Sequence, residues 1–480
     1  MIDVTHLLII GVGPLPFYDA DRLYGFGIRA WQFAQPLLDA GHRITLVSCE
    51  FGVERESAIN IKYRTDPSKW APIELIPVPQ PGPRNTNLIL TRIEEILRTH
   101  QPEAIIAAGS TIATNLAAHL DTDLPIWMDM FGDLFAEVQA KTPFMNAEVE
   151  IDFFHQMLTR ILLKGDRFSV VSEMQRGAAI GQLGLMGRLN QFTLGDEMVQ
   201  TIPCALNGKI SPVAKKPYLR GKSVGPNEFL VLCSGGFNTW TDVDTMFEGI
   251  ERSMEHDRRV HCVVTGGGIT GHHEDGYKHF RGLIGKSPYE NRFHLLGWLS
   301  NDEVDQVTME CNLGINVDLP VYESLLGSRN RMLFWLQCGL PILTTITTEI
   351  SQILVDNDLA LGAPYGQSKM VADKIIEAVQ DQQTLKRRAV RAKKFGYKFL
   401  TYDETVRPLL QWAKKPVKAG DNQERLVRGG QPFSQVDQLW HTWGFPESGK
   451  NNSLNLPRSP KAVIKTRPRG KNWIRRLLGS

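Results

Sequence analysis

The chain has 480 residues, 42% apolar and 22% charged, with a net charge of only +2. That length supports two domains with sizeable cores, and the near-neutral balance excludes a global pull towards nucleic acid or acidic partners. No apolar run approaches the ~18 residues of a spanning helix, and the start, MIDVTHLLIIGVG, lacks the basic and apolar regions of a secretory leader. Cys49, Cys204, Cys233, Cys262, Cys311 and Cys338 form no Cys-x-x-Cys pair. This excludes zinc ribbons and dithiol redox sites, and predicts reduced, buried thiols in a cytoplasmic protein.

Strands are predicted at 6–12, 43–48, 73–78, 103–109, 125–130 and 167–172, where short apolar runs occur. Helices are predicted among them at 27–39, 88–99 and 148–163. The stretch 205–227, rich in Gly, Pro and Lys, reads as a linker. The rhythm then resumes, with strands at 228–233, 260–265, 292–296, 313–317 and 341–345. Helices follow at 242–254, 302–311, 329–338 and 369–379. Strand and helix in alternation imply parallel sheets covered on both faces. The fold class is therefore α/β: two Rossmann-like doubly wound domains, 1–204 and 228–400, facing a cleft. Residues 401–415 predict a closing helix interrupted at Pro408. From Pro416 the chain is polar and basic, with 12 Lys/Arg against 4 Asp/Glu; +2 overall less +8 here leaves −6 for residues 1–415. This tail, 416–480, reads as largely disordered. Its end, KNWIRRLLGS, reads alternatively as a peripheral anchor to an anionic membrane surface.

In open parallel sheets ligands bind beyond the carboxyl ends of strands, so the loops there carry the candidate chemistry. The segment YESLLGSRNRMLFWLQCGLPILTT (322–345) begins a helix with Arg329 and Arg331 and no acid. Cations are disfavoured at that positive end. A bound diphosphate would make either arginine a counter-ion, with Ser328 as N-cap and Gly327 allowing close backbone approach. The alternative is that the arginines reach carboxylates elsewhere. Three further loops contain glycines: Gly11, Gly13, Gly25 and Gly27; Gly236 with Asn238; and Gly266 with Gly267. A dinucleotide fingerprint fails at Pro16, and no P-loop occurs. On the first-domain side, Asp129 and Asp133 read either as an acceptor-holding pair or as cap carboxylates. Tyr18, Asp19, Asp21 and Arg22 read as acceptor contacts or plain surface. GHHEDG (271–276) reads as a surface loop, and no metal site is expected.

The second domain resembles the GT-B glycosyltransferases, specifically the retaining family four (group one). LGWLSNDEV (296–304), CNLGINV (311–317), YESLLGSRNRM (322–332) and CGLPILTT (338–345) carry the resemblance, in the family's order. VVSEMQRGAAIGQLG (170–184) is similar to the end of the family's first domain. The resemblance implies transfer of a sugar, with retention, from a UDP- or GDP-linked donor to a glycan, lipid-linked or protein acceptor. It implies no cofactor beyond that substrate. By the same resemblance, Gly297 and Trp298 lie beside the nucleotide base, and Glu323 meets the donor sugar's hydroxyls. The amides of Leu325, Leu326, Gly327 and Ser328 face the diphosphate. Arg331 is expected to supply the diphosphate's counter-charge, although no motif places it. Two departures stand out: Phe334 occupies the position of a ribose-holding Glu, and the loop 234–245 contains no Lys or Arg. They keep open a degenerate GT-B scaffold, or another GT-B sugar-nucleotide reaction such as epimerisation.

Overall fold

The computed structural model describes residues 4–427, apart from 21, 65, 67–68, 70–72, 143–146, 207–216 and 269–273. Part of the predicted linker, the first half of GHHEDG, Asp21 and most of the basic tail lie outside the described residues.

The first sheet contains β1 (His6–Gly13), β2 (Arg43–Glu50), β3 (Ile73–Pro79), β4 (Ala104–Ala107), β5 (Ile126–Asp129), β6 (Arg167–Val170) and β7 (Val199–Thr201). Its order is β3-β2-β1-β4-β5-β6-β7, all parallel. The second contains β8 (Phe229–Gly236), β9 (Val260–Gly267), β10 (Phe293–Gly297), β11 (Leu313–Asn316), β12 (Ile342–Thr345) and β13 (Leu361–Ala363). Its order is β10-β9-β8-β11-β12-β13, again parallel. Strands covered on both faces read as unbroken apolar runs; every residue of β1 is buried. In each sheet the order reverses beside the first strand, which opens a crevice at the carboxyl ends of β1 and β8.

Each predicted strand is present. β7 and β13, of three residues each, were not predicted, and neither was the helix Gln382–Phe399. The predicted closing helix is two helices, Tyr402–Thr405 and Arg407–Lys414. Pro408 sits in the first turn of the second, where its missing N–H costs nothing. This segment packs back on the first half of the chain: the Trp412 and Trp127 rings lie 5.4 Å apart, and Gln32 donates to the Thr405 hydroxyl at 2.9 Å.

The tail requires a correction at its start. Residues 416–427 continue onto the first half and form a helix, Gly420–Val427. The Ala419 amide donates to Asp166 at 3.0 Å, and the Asp421 carboxylate pairs with Arg188, both side chains fully buried.

Candidate functional site

β8 and β9 run side by side to their ends, with Gly235 opposite Gly266 and Gly236 opposite Gly267. The glycines predicted as loop residues are thus strand ends. The backbones approach so closely that a Cβ on Gly266 would lie 2.4 Å from the Gly235 carbonyl oxygen. β10 carries a register shift near its end, and Gly297 adopts φ +70°, left-handed backbone suited to glycine. The Trp298 indole N–H then donates to the Gly268 carbonyl at 3.2 Å.

A cavity of about 190 Å³ sits over these ends, between the two halves. Gly235, Gly266, Trp298, Arg331 and Phe334 line it from the second half, and Arg22 and Arg64 from the first. The Arg22 guanidinium lies 4.6 Å over the Trp298 ring. Arg64 pairs with Asp302 at 2.5 Å and Asp305 at 3.1 Å. The Ser172 hydroxyl also crosses between the halves, donating to the Leu326 carbonyl at 2.8 Å.

The two arginines that begin the helix have different surroundings. The helix spans Asn330–Cys338, so Arg329, not Ser328, is at its N-cap position, and no side chain caps it. Arg329 is buried and donates to Asp318 at 2.7 Å, to both Glu323 oxygens at 3.2 and 2.8 Å, and to the Ser324 hydroxyl at 3.0 Å. It is therefore committed to carboxylates rather than open to a phosphate. Burial pushes the Glu323 carboxyl up, and Arg329 partly offsets this. Arg331 instead points to the cavity and, among the described residues, makes one hydrogen bond, to the Gly236 carbonyl at 2.9 Å. Burial lowers its pKa, the Asp318 carboxylate opposes this, and neighbouring Arg329 adds to the lowering.

The turn between Glu323 and Arg329 is tight. The amides of Leu325 and Gly327 are already donated, to Val321 and Glu323 carbonyls at 3.1 and 2.8 Å. A Cβ on Gly327 would lie 2.6 Å from the Glu323 carbonyl oxygen. Of the predicted donor-side residues, the cavity brings together Gly266, Trp298 and Arg331. Gly236 touches Arg331 through its carbonyl. Asn238, Gly267, Gly297, Glu323, Leu325, Leu326, Gly327, Ser328 and Arg329 do not line it.

The first-half carboxylates are structural. Asp129 is fully buried and receives two bonds from Arg29 at 2.9 Å, one from Ser169 at 2.7 Å and one from the Gly109 amide at 3.1 Å. No lone pair remains aimed at an acceptor. Asp133 caps the helix Leu134–Lys141 through the Ala136 amide at 2.9 Å and takes Gln182 at 2.9 Å. Tyr18 is buried, its hydroxyl 3.3 Å from Glu50. Gly13 lies against that same carboxyl, because a Cβ there would meet Glu50 Oε2 at 2.3 Å. Sequence reasoning did not single out Glu50, Arg64, Asp305 or Asp318. Their partners lie far along the chain, and no spacing signals such pairs. Among the described residues no cluster of three His, Cys, Asp or Glu is placed to hold a metal.

No protein-family profile and no curated protein sequence matches the chain. Solved structures do match. Anabaena HepE in complex with UDP and glucose is 14% identical with a TM-score of 0.57, over 85% of this chain and 98% of that one. Sucrose-phosphate synthase from Thermosynechococcus elongatus is 12% identical with a TM-score of 0.63, over 89% and 100%. An E. coli trehalose-6-phosphate structure bound with UDP-2-fluoro glucose is 10% identical with a TM-score of 0.61, over 86% and 100%. With its two parallel sheets and the crevice at their carboxyl ends, the chain has the GT-B fold.

Proposed function

We propose that this chain is a glycosyltransferase that moves a sugar from a UDP- or GDP-linked donor to a glycan, lipid-linked or protein acceptor, with retention of configuration. Arg331 carries the reading. Its half-buried side chain faces the cleft, with one carbonyl partner and no ion pair among the described residues. Such a cation is costly to bury alone. An entering diphosphate relieves that cost through charge-assisted bonds, and those bonds strengthen as the leaving nucleoside diphosphate gains charge. Trp298, beneath Arg22 in the same cavity, offers a flat apolar face for a base. The HepE complexes with UDP and UDP-glucose favour a UDP donor. Retention rests on the sequence resemblance alone.

Two observations favour a second reading, a protein that binds a nucleotide sugar without transferring it. Both Glu323 oxygens are held by Arg329, and Phe334 lines the cavity. Arg331→Ala should weaken UDP or GDP binding by about 1.5–3 kcal/mol, the size of a lost charge-assisted bond. Unchanged affinity in titration calorimetry rejects the diphosphate role. Incubation with a panel of UDP- and GDP-sugars separates the two readings. Slow donor hydrolysis excludes the binding-only protein.

A further inference from the structure

We propose that the helix Gln382–Phe399 is a docking surface for an anionic lipid bilayer. The proposal does not depend on what the cleft binds. The helix holds seven Lys/Arg and no Asp or Glu in its 18 residues. It belongs to a region, 1–415, whose balance is −6, so this positive charge is local rather than a property of the whole surface.

One face of the helix is packed. Leu385, Ala389, Ala392 and Gly396 are buried, and Gly396 lets the backbone approach Leu206 and Leu336. The opposite ridge follows at helical steps: Arg387, Val390, Lys394, Tyr397. Two apolar side chains stand in solvent there: Val390 is 55% exposed and Tyr397 45%. Arg388 and Arg391 are tied to Asp358. Lys386, Arg387, Lys393, Lys394 and Lys398 have no carboxylate partner among the described residues. Lys393 lies 5.9 Å over the Tyr397 ring, so an ammonium group and an aromatic ring sit together at this ridge.

Nucleic acid would satisfy the cations but leave Val390 in water. A bilayer interface takes both kinds of group, with headgroup phosphates meeting the cations and the interfacial layer taking Val390 and the Tyr397 ring. Stable anchoring generally needs two signals. The sequence supplies a second of the same sign in the eight basic residues from Arg458 onward.

The test is co-sedimentation of the full-length chain with phosphatidylcholine vesicles, with and without phosphatidylglycerol. Binding should require phosphatidylglycerol and fall as salt rises. Each basic residue near such a surface is worth roughly fivefold in partitioning. The combined change Lys386→Glu, Arg387→Glu, Lys393→Glu and Lys394→Glu should therefore weaken binding at least tenfold. Val390→Ser with Tyr397→Ser should weaken it several-fold at unchanged salt dependence. If the fourfold variant does not fold, Arg387→Glu and Lys394→Glu singly carry the same test at reduced size. Undiminished binding by these variants would leave anchoring to the tail and overturn the proposal. So would equal binding to neutral vesicles, or no binding by the parent chain. Duplex DNA that displaces the vesicles and is indifferent to the Val390 and Tyr397 changes would assign the face to nucleic acid instead.

Discussion

Glu50 is a carboxyl group at the end of β2 that accepts from the Tyr18 hydroxyl at 3.3 Å and lies beside the Ser48 hydroxyl. Burial pushes it from its ordinary 4.5 up to about 7. Between those values the unfolded chain releases the proton while the folded chain keeps it. The folded state then holds more protons, so stability falls as pH rises through the window. Glu50→Gln keeps an acceptor for Tyr18 and removes the ionisation. The variant should match the parent below pH 4.5 and exceed it by about 3 kcal/mol above pH 7. Urea unfolding at pH 5 and pH 8 measures this, and a pH-independent difference would mean that Glu50 ionises normally. Nothing in VSCEF announces such a group: its environment comes from Gly13 and Tyr18, which β1 and the first loop bring to it.

The helix that begins at Asn330 shows what could and could not be read from sequence. Two arginines at a positive helix end signalled that a negative group had to be near. They did not say which arginine would meet which group. Arg329 meets Asp318 and Glu323, one of which arrives from the end of β11 and the other from the preceding turn. Arg331 alone turns to the cavity. The distinction is set by backbone direction at the N-cap, which spacing does not encode. Asp129 is the parallel case, since its partner Arg29 lies a hundred residues earlier. Removing one member of a buried ion cluster leaves the others uncompensated. Arg329→Met should destabilise the protein by about 3–5 kcal/mol, while Arg329→Lys, which cannot fork between two carboxylates, should recover only part of it. Chemical denaturation measures both, and a near-neutral Arg329→Met would show that the buried cluster does not depend on its guanidinium.

At the scale of the whole molecule, the two sheets were legible because buried parallel strands are continuous apolar runs. The path of the chain after the second sheet was not. Residues 416–427 read as polar tail, with Gly, Lys and Asn where a packed segment normally has Leu or Val. They are held by polar groups instead. Arg188, fully buried, donates to the carbonyls of Leu162 and Gly165 and to both oxygens of Asp421. Asp421 is the carboxylate that pairs with it, and the Ala419 amide and Asn422 side chain satisfy Asp166 nearby. Truncation after Pro416 therefore removes the counter-ion of a buried guanidinium, at about 3–5 kcal/mol. Truncation after Val427 leaves that pair in place. The shorter protein should melt well below the full chain and the longer one close to it. Asp421→Asn, which keeps the shape but not the charge, should reproduce most of the shorter protein's loss. Equal melting of all four proteins would mean that Arg188 finds a second anion or water once Asp421 is gone, and that the final helix rests on the first half of the chain without stabilising it.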